Sequence, residues 1–217
     1  MKFVITSGPT REPIDPVRYL SNRSSGKMGY AIAAAALELK HDVTLISGPV
    51  ALAAPEGAEI VYVTTGEEMF AAAAARFADC DVFVMCAAVC DYRPVQYAPQ
   101  KLPKQRGAFS LALEPTRDLL MSLTSLPHRC LVVGFAAETH ALTENAERKL
   151  VEKNCDLMVA NDVSRSDVGM DSDENELHIF SNGGAPKKLS RGKKTELART
   201  LLKIILVTRE NCLTKKT

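Results

Sequence analysis

Three segments of this 217-residue chain hold residue types that could do chemistry. Ser21-Asn22-Arg23-Ser24-Ser25-Gly26-Lys27-Met28-Gly29 places an amide, two hydroxyls and a glycine ahead of a helical pattern. Hydroxyls and free backbone N–H groups at a helix start can hold an anion, although Ser24 or Ser25 could equally be an ordinary N-cap. A P-loop is excluded, because Ser21 replaces its first glycine and Met28 its magnesium-binding hydroxyl. Met85-Cys86-Ala87-Ala88-Val89-Cys90-Asp91-Tyr92-Arg93 closes an apolar run with small residues and one carboxylate. Small residues there let a ligand approach the backbone, and Asp91 is then a lone acid at the pocket mouth; as a helix or turn cap it needs no ligand. Thr6-Ser7-Gly8-Pro9-Thr10-Arg11 reads either as a phosphate-approaching turn or as a plain Gly-Pro turn. Lys101 could close over phosphates or be a simple loop lysine, and Lys149 and Lys153 share a helix face, as amphipathic helices commonly arrange.

Other chemistries lack their residues. Neither Gly-x-Ser-x-Gly nor His-Glu-x-x-His occurs, and His41, His128, His140 and His178 have no evident partners. The run from Asp171 to Asn175 has the acidity of a calcium loop, but Glu176 replaces the required glycine and Asn182 the final glutamate, so it reads as a solvated loop. Six cysteines, at 80, 86, 90, 130, 155 and 212, form no Cys-x-x-Cys and read as reduced, buried thiols of a cytoplasmic protein. No residue pattern offers a protein metal site.

The elements that must position these groups alternate. Strand patterns occupy residues 2–6, 43–47, 59–64, 81–88, 130–135 and 157–160. Helical patterns occupy 26–40, 65–79, 143–153 and 193–207, with a short helix capped by Thr116 running to 123. Residues 109–113 alternate like a strand, and 176–180 with 187–189 form a small β-ribbon. The expected fold is α/β: a doubly wound, mostly parallel Rossmann-like sheet in one domain, residues 1–217. Such sheets bind ligands beyond the carboxyl ends of their strands, where the candidate segments fall. Residues 91–107 and 161–175 lack regular patterns and read as functional or mobile loops.

Composition narrows the classes. A net charge of +1 gives no footprint for nucleic acid or anionic membrane. The basic run from Lys187 to Lys194 reads as a solvated face. Apolar runs fall short of the roughly 20 residues of a membrane span, and the chain opens on Phe3-Val4-Ile5 without the pattern of a leader peptide.

Together the segments are far more specific. Thr10-Arg11-Glu12-Pro13-Ile14-Asp15-Pro16-Val17-Arg18-Tyr19, Ser21-Asn22 and Ser24 to Gly29 resemble the opening of bacterial phosphopantothenoylcysteine synthetases. Ala87-Ala88-Val89 with Asp91-Tyr92-Arg93, Gly134 to Thr139, and Ala160-Asn161-Asp162-Val163 follow in order, so the resemblance covers nearly the whole chain. It implies a ligase of coenzyme A biosynthesis that joins 4'-phosphopantothenate to L-cysteine, using CTP with magnesium (Mg2+), as a homodimer. Family members in many bacteria carry a flavin-dependent decarboxylase ahead of this domain; these residues are expected to hold the synthetase domain alone.

The resemblance also implies roles. Asn22 contacts the substrate and the acyl intermediate, and Lys101 on a mobile flap is needed for catalysis. Arg18 reaches the site from the neighbouring subunit, while Ala87, Ala88 and Asp91 line the phosphopantothenate and nucleotide pocket. Gly8, Ser24, Gly26, Gly29, Phe135 and Asn161 match the triphosphate site. Met85, Cys86, Arg117, Asp118, Leu119, Leu120, Lys149 and Lys153 match further nucleotide contacts. Three places depart from the family pattern: the flap reads Lys101-Leu102-Pro103-Lys104 rather than Lys-Ile-Lys-Lys, Thr116-Arg117-Asp118 replaces Asn-Pro-Asp, and Cys90 replaces a common alanine.

The implied reaction needs an activated acid. The pantothenate carboxylate attacks the α-phosphorus of CTP and expels pyrophosphate; cysteine's amine then attacks the acyl cytidylate and releases CMP. Two other classes use related pockets. A nicotinamide oxidoreductase needs the G-x-G-x-x-G turn and an acid ending strand two, and both are missing. A noncatalytic nucleotide-binding subunit would lack the pairing of Asn22 with Lys101.

Overall fold

A computed structural model describes residues 1–104, 106–164 and 172–214, with side chains through Cys212. Residues 165–171, which include Asp171 and much of the second irregular loop, lie outside the described residues.

The elements are β1 (Lys2–Ser7), β2 (Arg11–Pro13), β3 (Tyr19–Ser21), α1 (Lys27–Glu38), β4 (Asp42–Ser47), β5 (Glu59–Tyr62), α2 (Gly66–Phe77), β6 (Val82–Met85), β7 (Tyr92–Pro94), β8 (Leu113–Pro115), α3 (Leu119–Thr124), β9 (Leu131–Glu138), α4 (Leu142–Glu152), β10 (Leu157–Asp162), β11 (Glu174–Ser181), β12 (Lys187–Lys193) and α5 (Lys194–Thr214). Eight strands form one sheet in the order β12-β11-β10-β9-β6-β1-β4-β5. The run from β10 to β5 is parallel, as the alternating elements require. β6 lies near the middle and is buried along its whole length, which explains its unbroken apolar run.

Alternation along each strand divides the core into two layers. Phe3, Ile5, Val82 and Val84 pack toward α1 and α5; Val4, Ile46, Phe83 and Met85 pack toward α2, α3 and α4. The alanines of α1 let its backbone lie close to the sheet: Ala33 and Ala36 are fully buried. α2 begins with a capping box, in which Thr65 Oγ1 accepts the Glu68 N–H at 3.2 Å and the Glu68 carboxylate accepts back.

The structure corrects several sequence expectations. The expected ribbon forms, β11 pairing antiparallel with β12, but it is longer than the pattern gave and β11 also pairs antiparallel with β10, so the ribbon extends the main sheet. Of the strand expected at 109–113 only Leu113 is in one, as the first residue of β8; residues 109–112 form none, and the exposed Phe109 meets no core. Asp118, not Thr116, caps α3, accepting the Met121 N–H at 3.0 Å. Thr116 instead donates its hydroxyl to the Cys90 carbonyl at 2.5 Å. Neither Ser24 nor Ser25 caps α1, whose N-cap is Gly26 in the left-handed region (φ 76°) with no side-chain cap bond. The basic run is not wholly solvated, for Lys194 is 5% exposed. No helix among the described residues is long and apolar enough to cross a membrane.

Candidate active site

Two clefts meet over the carboxyl ends of the central strands, with volumes of about 280 and 330 Å3. They share Ala87, Val89, Asp91, Phe135 and Lys149. Strand order makes this crevice: β1 runs out toward β4 on one side and β6 on the other, so the connections diverge there.

One wall of the first cleft comes from the start of α1. Asn22, Ser24, Gly26 and Gly29 line it together with Lys27 and Met28. The first-turn N–H groups of a helix have no intrahelical acceptor, and here no side chain caps them where Gly26 to Gly29 line the cleft. Ser7 Oγ donates to the Gly26 carbonyl at 2.9 Å, tying this loop to β1. Asn22 Nδ2 donates to the Val89 carbonyl at 2.9 Å. One N–H of that amide holds the loop after β6; a primary amide carries a second.

The opposite wall follows β6. Cys86, Ala87, Ala88 and Asp91 line the first cleft, and Met85, Ala87 and Asp91 the second. This loop is held from behind. Ala88 N–H donates to the Gly8 carbonyl at 2.9 Å, and Thr10 N–H to the Ala88 carbonyl at 3.1 Å. Gly8 itself lines neither cleft. Its φ of +74° and the nearness of Val50 Cγ1, 2.9 Å from where a Cβ would stand, make it a turn-forming support. Burial pushes the Cys86 thiol up to about 12, with Lys194 pulling the other way. Such a thiol is a poor nucleophile at neutral pH.

Phe135 from β9 and Asn161 from β10 complete the first cleft. The second is built from Arg117, Asp118, Leu119 and Leu120 with Lys149 and Lys153. Its cations are held by acids. Lys149 Nζ lies 2.7 Å from Glu138 Oε1, Lys153 pairs with Asp118, and Arg117 lies 3.2 Å from Glu67. Arg117 also stacks over the Phe70 ring, 4.4 Å from its centroid.

Lys101 and Arg18 line neither cleft in the single chain. Lys101 is exposed, and Arg18 Nη2 lies 2.5 Å from Asp15 Oδ2. Conversely, Asn175 and Lys194 were missed: both are buried and line the first cleft. They lie 153 and 172 residues after Asn22, so no local spacing links them. Their only signals were a polar residue on an alternating strand and a lysine at a helix start. The four histidines line neither cleft. Among the described residues no group of three or more His, Cys, Asp or Glu side chains could hold a metal ion.

Comparison with known proteins places this geometry in a family. Residues 1–208 match the model of the DNA/pantothenate metabolism flavoprotein C-terminal domain. The coenzyme A biosynthesis bifunctional protein CoaBC of Escherichia coli K12 is 46% identical over 206 residues, covering 93% of this chain and 50% of that protein. CoaBC of Vibrio vulnificus CMCP6 is 43% identical over 206 residues, covering 94% and 51%. The chain thus spans about half the length of these curated relatives. A crystal structure of the C-terminal domain of CoaBC superposes with a TM-score of 0.83 at 38% identity, covering 97% of this chain and 96% of that one. With the match running through β1, the loops around both clefts and most of α5, the chain belongs to the DNA/pantothenate metabolism flavoprotein C-terminal domain family.

Proposed function

We propose that the chain joins 4'-phosphopantothenate to L-cysteine in coenzyme A biosynthesis, consuming CTP. The observation that carries this reading is the meeting of Asn22, Asp91 and the open start of α1 in one cleft, with a cation-lined second cleft sharing its floor. A polyanion and an acyl acceptor can lie side by side there. The coenzyme A role named for the bifunctional relatives supports the same assignment.

In the first half-reaction the pantothenate carboxylate attacks the α-phosphorus of CTP. A carboxylate–phosphorus bond forms while the bond to pyrophosphate breaks. The start of α1 and the flap lysine Lys101 would stabilise the charge moving onto pyrophosphate. The free N–H of Asn22 would donate to the acyl or phosphoryl oxygen. A preorganised donor of this kind is worth about 10²–10³ in rate. In the second half-reaction the amine of cysteine attacks the acyl carbon, CMP leaves, and the amine loses its proton to solvent or to the departing phosphate. Holding carboxylate and phosphorus together supplies a further entropic advantage. No covalent enzyme intermediate is required, which suits the high-pKa Cys86.

Cytosine would be read by backbone groups at Arg117 to Leu120 beside Phe135, giving CTP preference over ATP. Magnesium would travel on the nucleotide phosphates and neutralise their charge; the described residues do not fit a protein cage for it. The protein would act in the cytoplasm as a homodimer in which Arg18 reaches the partner's site. The exposed edge strand β12 is a candidate contact in that dimer. The decisive experiment is pyrophosphate release. It should require CTP and phosphopantothenate together, and release with either alone, or equal efficiency with ATP, would count against the corresponding part of the reading.

A further inference from the structure

Asp15 sits in the turn between β2 and β3, and its side chain has no exposed surface. Its Oδ1 accepts the N–H groups of Val17 and Arg18, both at 2.8 Å. Those two bonds are what a tight turn asks of an aspartate. Oδ2 is used differently. It accepts Arg18 Nε at 2.8 Å, Arg18 Nη2 at 2.5 Å and the Leu102 N–H at 3.1 Å. Arg18 Nη2 also donates to the Leu102 carbonyl at 2.7 Å. Both backbone polar groups of Leu102 therefore end on the Asp15–Arg18 pair. Four residues earlier in the same segment, the Ala98 N–H donates to the Ile14 carbonyl at 2.9 Å, so the segment is tied to this turn twice.

A buried carboxylate needs several donors, and charge-assisted bonds of this kind are the strong ones. The turn alone does not call for a donor 87 residues away. Lys101 precedes Leu102 directly. Neighbouring residues 99–101 and 103–104 carry no regular structure that would otherwise fix the lysine's origin. From these bonds we infer that Asp15 is a positioning residue: it clasps Leu102, thereby setting where the Lys101 side chain starts, and with the same oxygen it orients the Arg18 guanidinium. One carboxylate thus couples the two cations that the proposed reaction would bring in from outside the clefts. The inference rests on that reading for the role of Lys101. The clasp itself rests on the geometry.

The consequence is a rate effect transmitted through Lys101. Misplacing a reacting or stabilising group by about 1 Å can lower a rate about 100-fold. Asp15→Asn keeps an oxygen for the turn but removes the charge shared by Arg18 and Leu102. A variant acting through Lys101 should lose its effect once Lys101 is gone, whereas general damage to the fold should not.

The test is a double-mutant cycle on the full chain with Asp15→Asn, Lys101→Gln and both together. Single-turnover formation of the acyl cytidylate is followed with labelled CTP and phosphopantothenate. Hydrogen exchange across residues 98–104 is followed in parallel. The expected result is a loss of about tenfold or more from Asp15→Asn when Lys101 is present, and less than about twofold when it is Gln. Exchange at 98–104 should rise about tenfold, with β1 and β6 unchanged. Equal losses in both backgrounds, or unaltered exchange at 98–104, would overturn the inference. Should Asp15→Asn fail to fold, Leu102→Pro, which takes away the N–H donor while leaving Asp15 in place, must reproduce both the rate loss and the faster exchange; wild-type behaviour there overturns the inference. If the wild-type chain forms no intermediate at all, the functional reading falls, and the exchange measurement still decides whether Asp15 holds Leu102.

Discussion

Gly29 lies directly against Ser7: a Cβ added to Gly29 would stand 2.3 Å from Ser7 Oγ and 2.6 Å from Ser7 Cβ. This sets the first turn of α1 against the end of β1, and Gly29 itself lines the first cleft. Gly29→Ala should therefore force the helix off the strand. We expect a loss of about 1–3 kcal/mol, the usual range for overpacking, read as a lower denaturation midpoint with an unchanged slope. Adding Ser7→Gly should recover part of it. A Gly29→Ala protein as stable as wild type would show that the close approach is not maintained in solution.

Asn22 and Lys101 should divide the two half-reactions. Asn22→Asp places a negative charge where an acyl or phosphoryl oxygen would sit, so the acyl cytidylate should accumulate and react slowly with cysteine. Lys101→Gln should form little of it, with a loss of about 10²–10³ in rate. Rapid-quench counting of the intermediate separates the two. Normal turnover by Asn22→Asp would reduce that residue to a tie between its loop and the Val89 carbonyl.

Acid should act through Asp15. Burial alone would raise its pKa, but the Arg18 guanidinium and the N–H groups of Val17, Arg18 and Leu102 outweigh it and hold the carboxyl well below the usual carboxylate range. Because the folded value lies below the unfolded one, the stabilisation is fully present above the unfolded carboxyl pKa of about 3.9. It is lost as pH falls through the folded value. Wild type should lose this part of its stability in strong acid, below about pH 4. Asp15→Asn should start less stable at pH 7 and vary less over that window. Parallel curves for the two proteins from pH 7 downward would contradict this.

Cys86 should resist alkylation. With its thiol raised to about 12, only about one molecule in 10⁴ carries the thiolate at pH 8. Mass spectrometry after iodoacetamide treatment of the native protein should find Cys86 unmodified under conditions that label it fully in denaturant. Rapid native labelling would mean that the first cleft opens far enough to hydrate β6's carboxyl end.

The fold was largely legible because its signals are local. A buried central strand must be apolar on both faces, and residues 82–85 are; a helix lying close on a sheet needs small residues, and α1 supplies alanines. The capping box at Thr65 likewise lies within four residues. Where local pattern misled, a longer-range partner decided. Thr116 has good capping chemistry, but its hydroxyl is taken by the Cys90 carbonyl, leaving Asp118 to start α3. Alternation at 109–112 has no core behind it, so the strand begins only at Leu113. Lys187 and Lys188 keep the solvated character of their basic run, while Lys194 turns inward at the start of α5.

The amino-acid sequence by itself determined the alternating α/β order, the segments 21–29 and 85–93 that line the clefts, and the family resemblance they carry, because each is a property of neighbouring residues. Only tertiary structure decided which of them meet. Asn22, Asp91, Asn161 and Lys194 share one cleft because β6 inserts between β1 and β9 and antiparallel β11 closes beside β10. Arg18 and Leu102, the neighbour of Lys101, meet on one buried carboxylate although Asp15 and Leu102 are 87 residues apart. Strand order and such cross-chain bonds come from the packing of whole layers, where burial summed over the core outweighs any local preference.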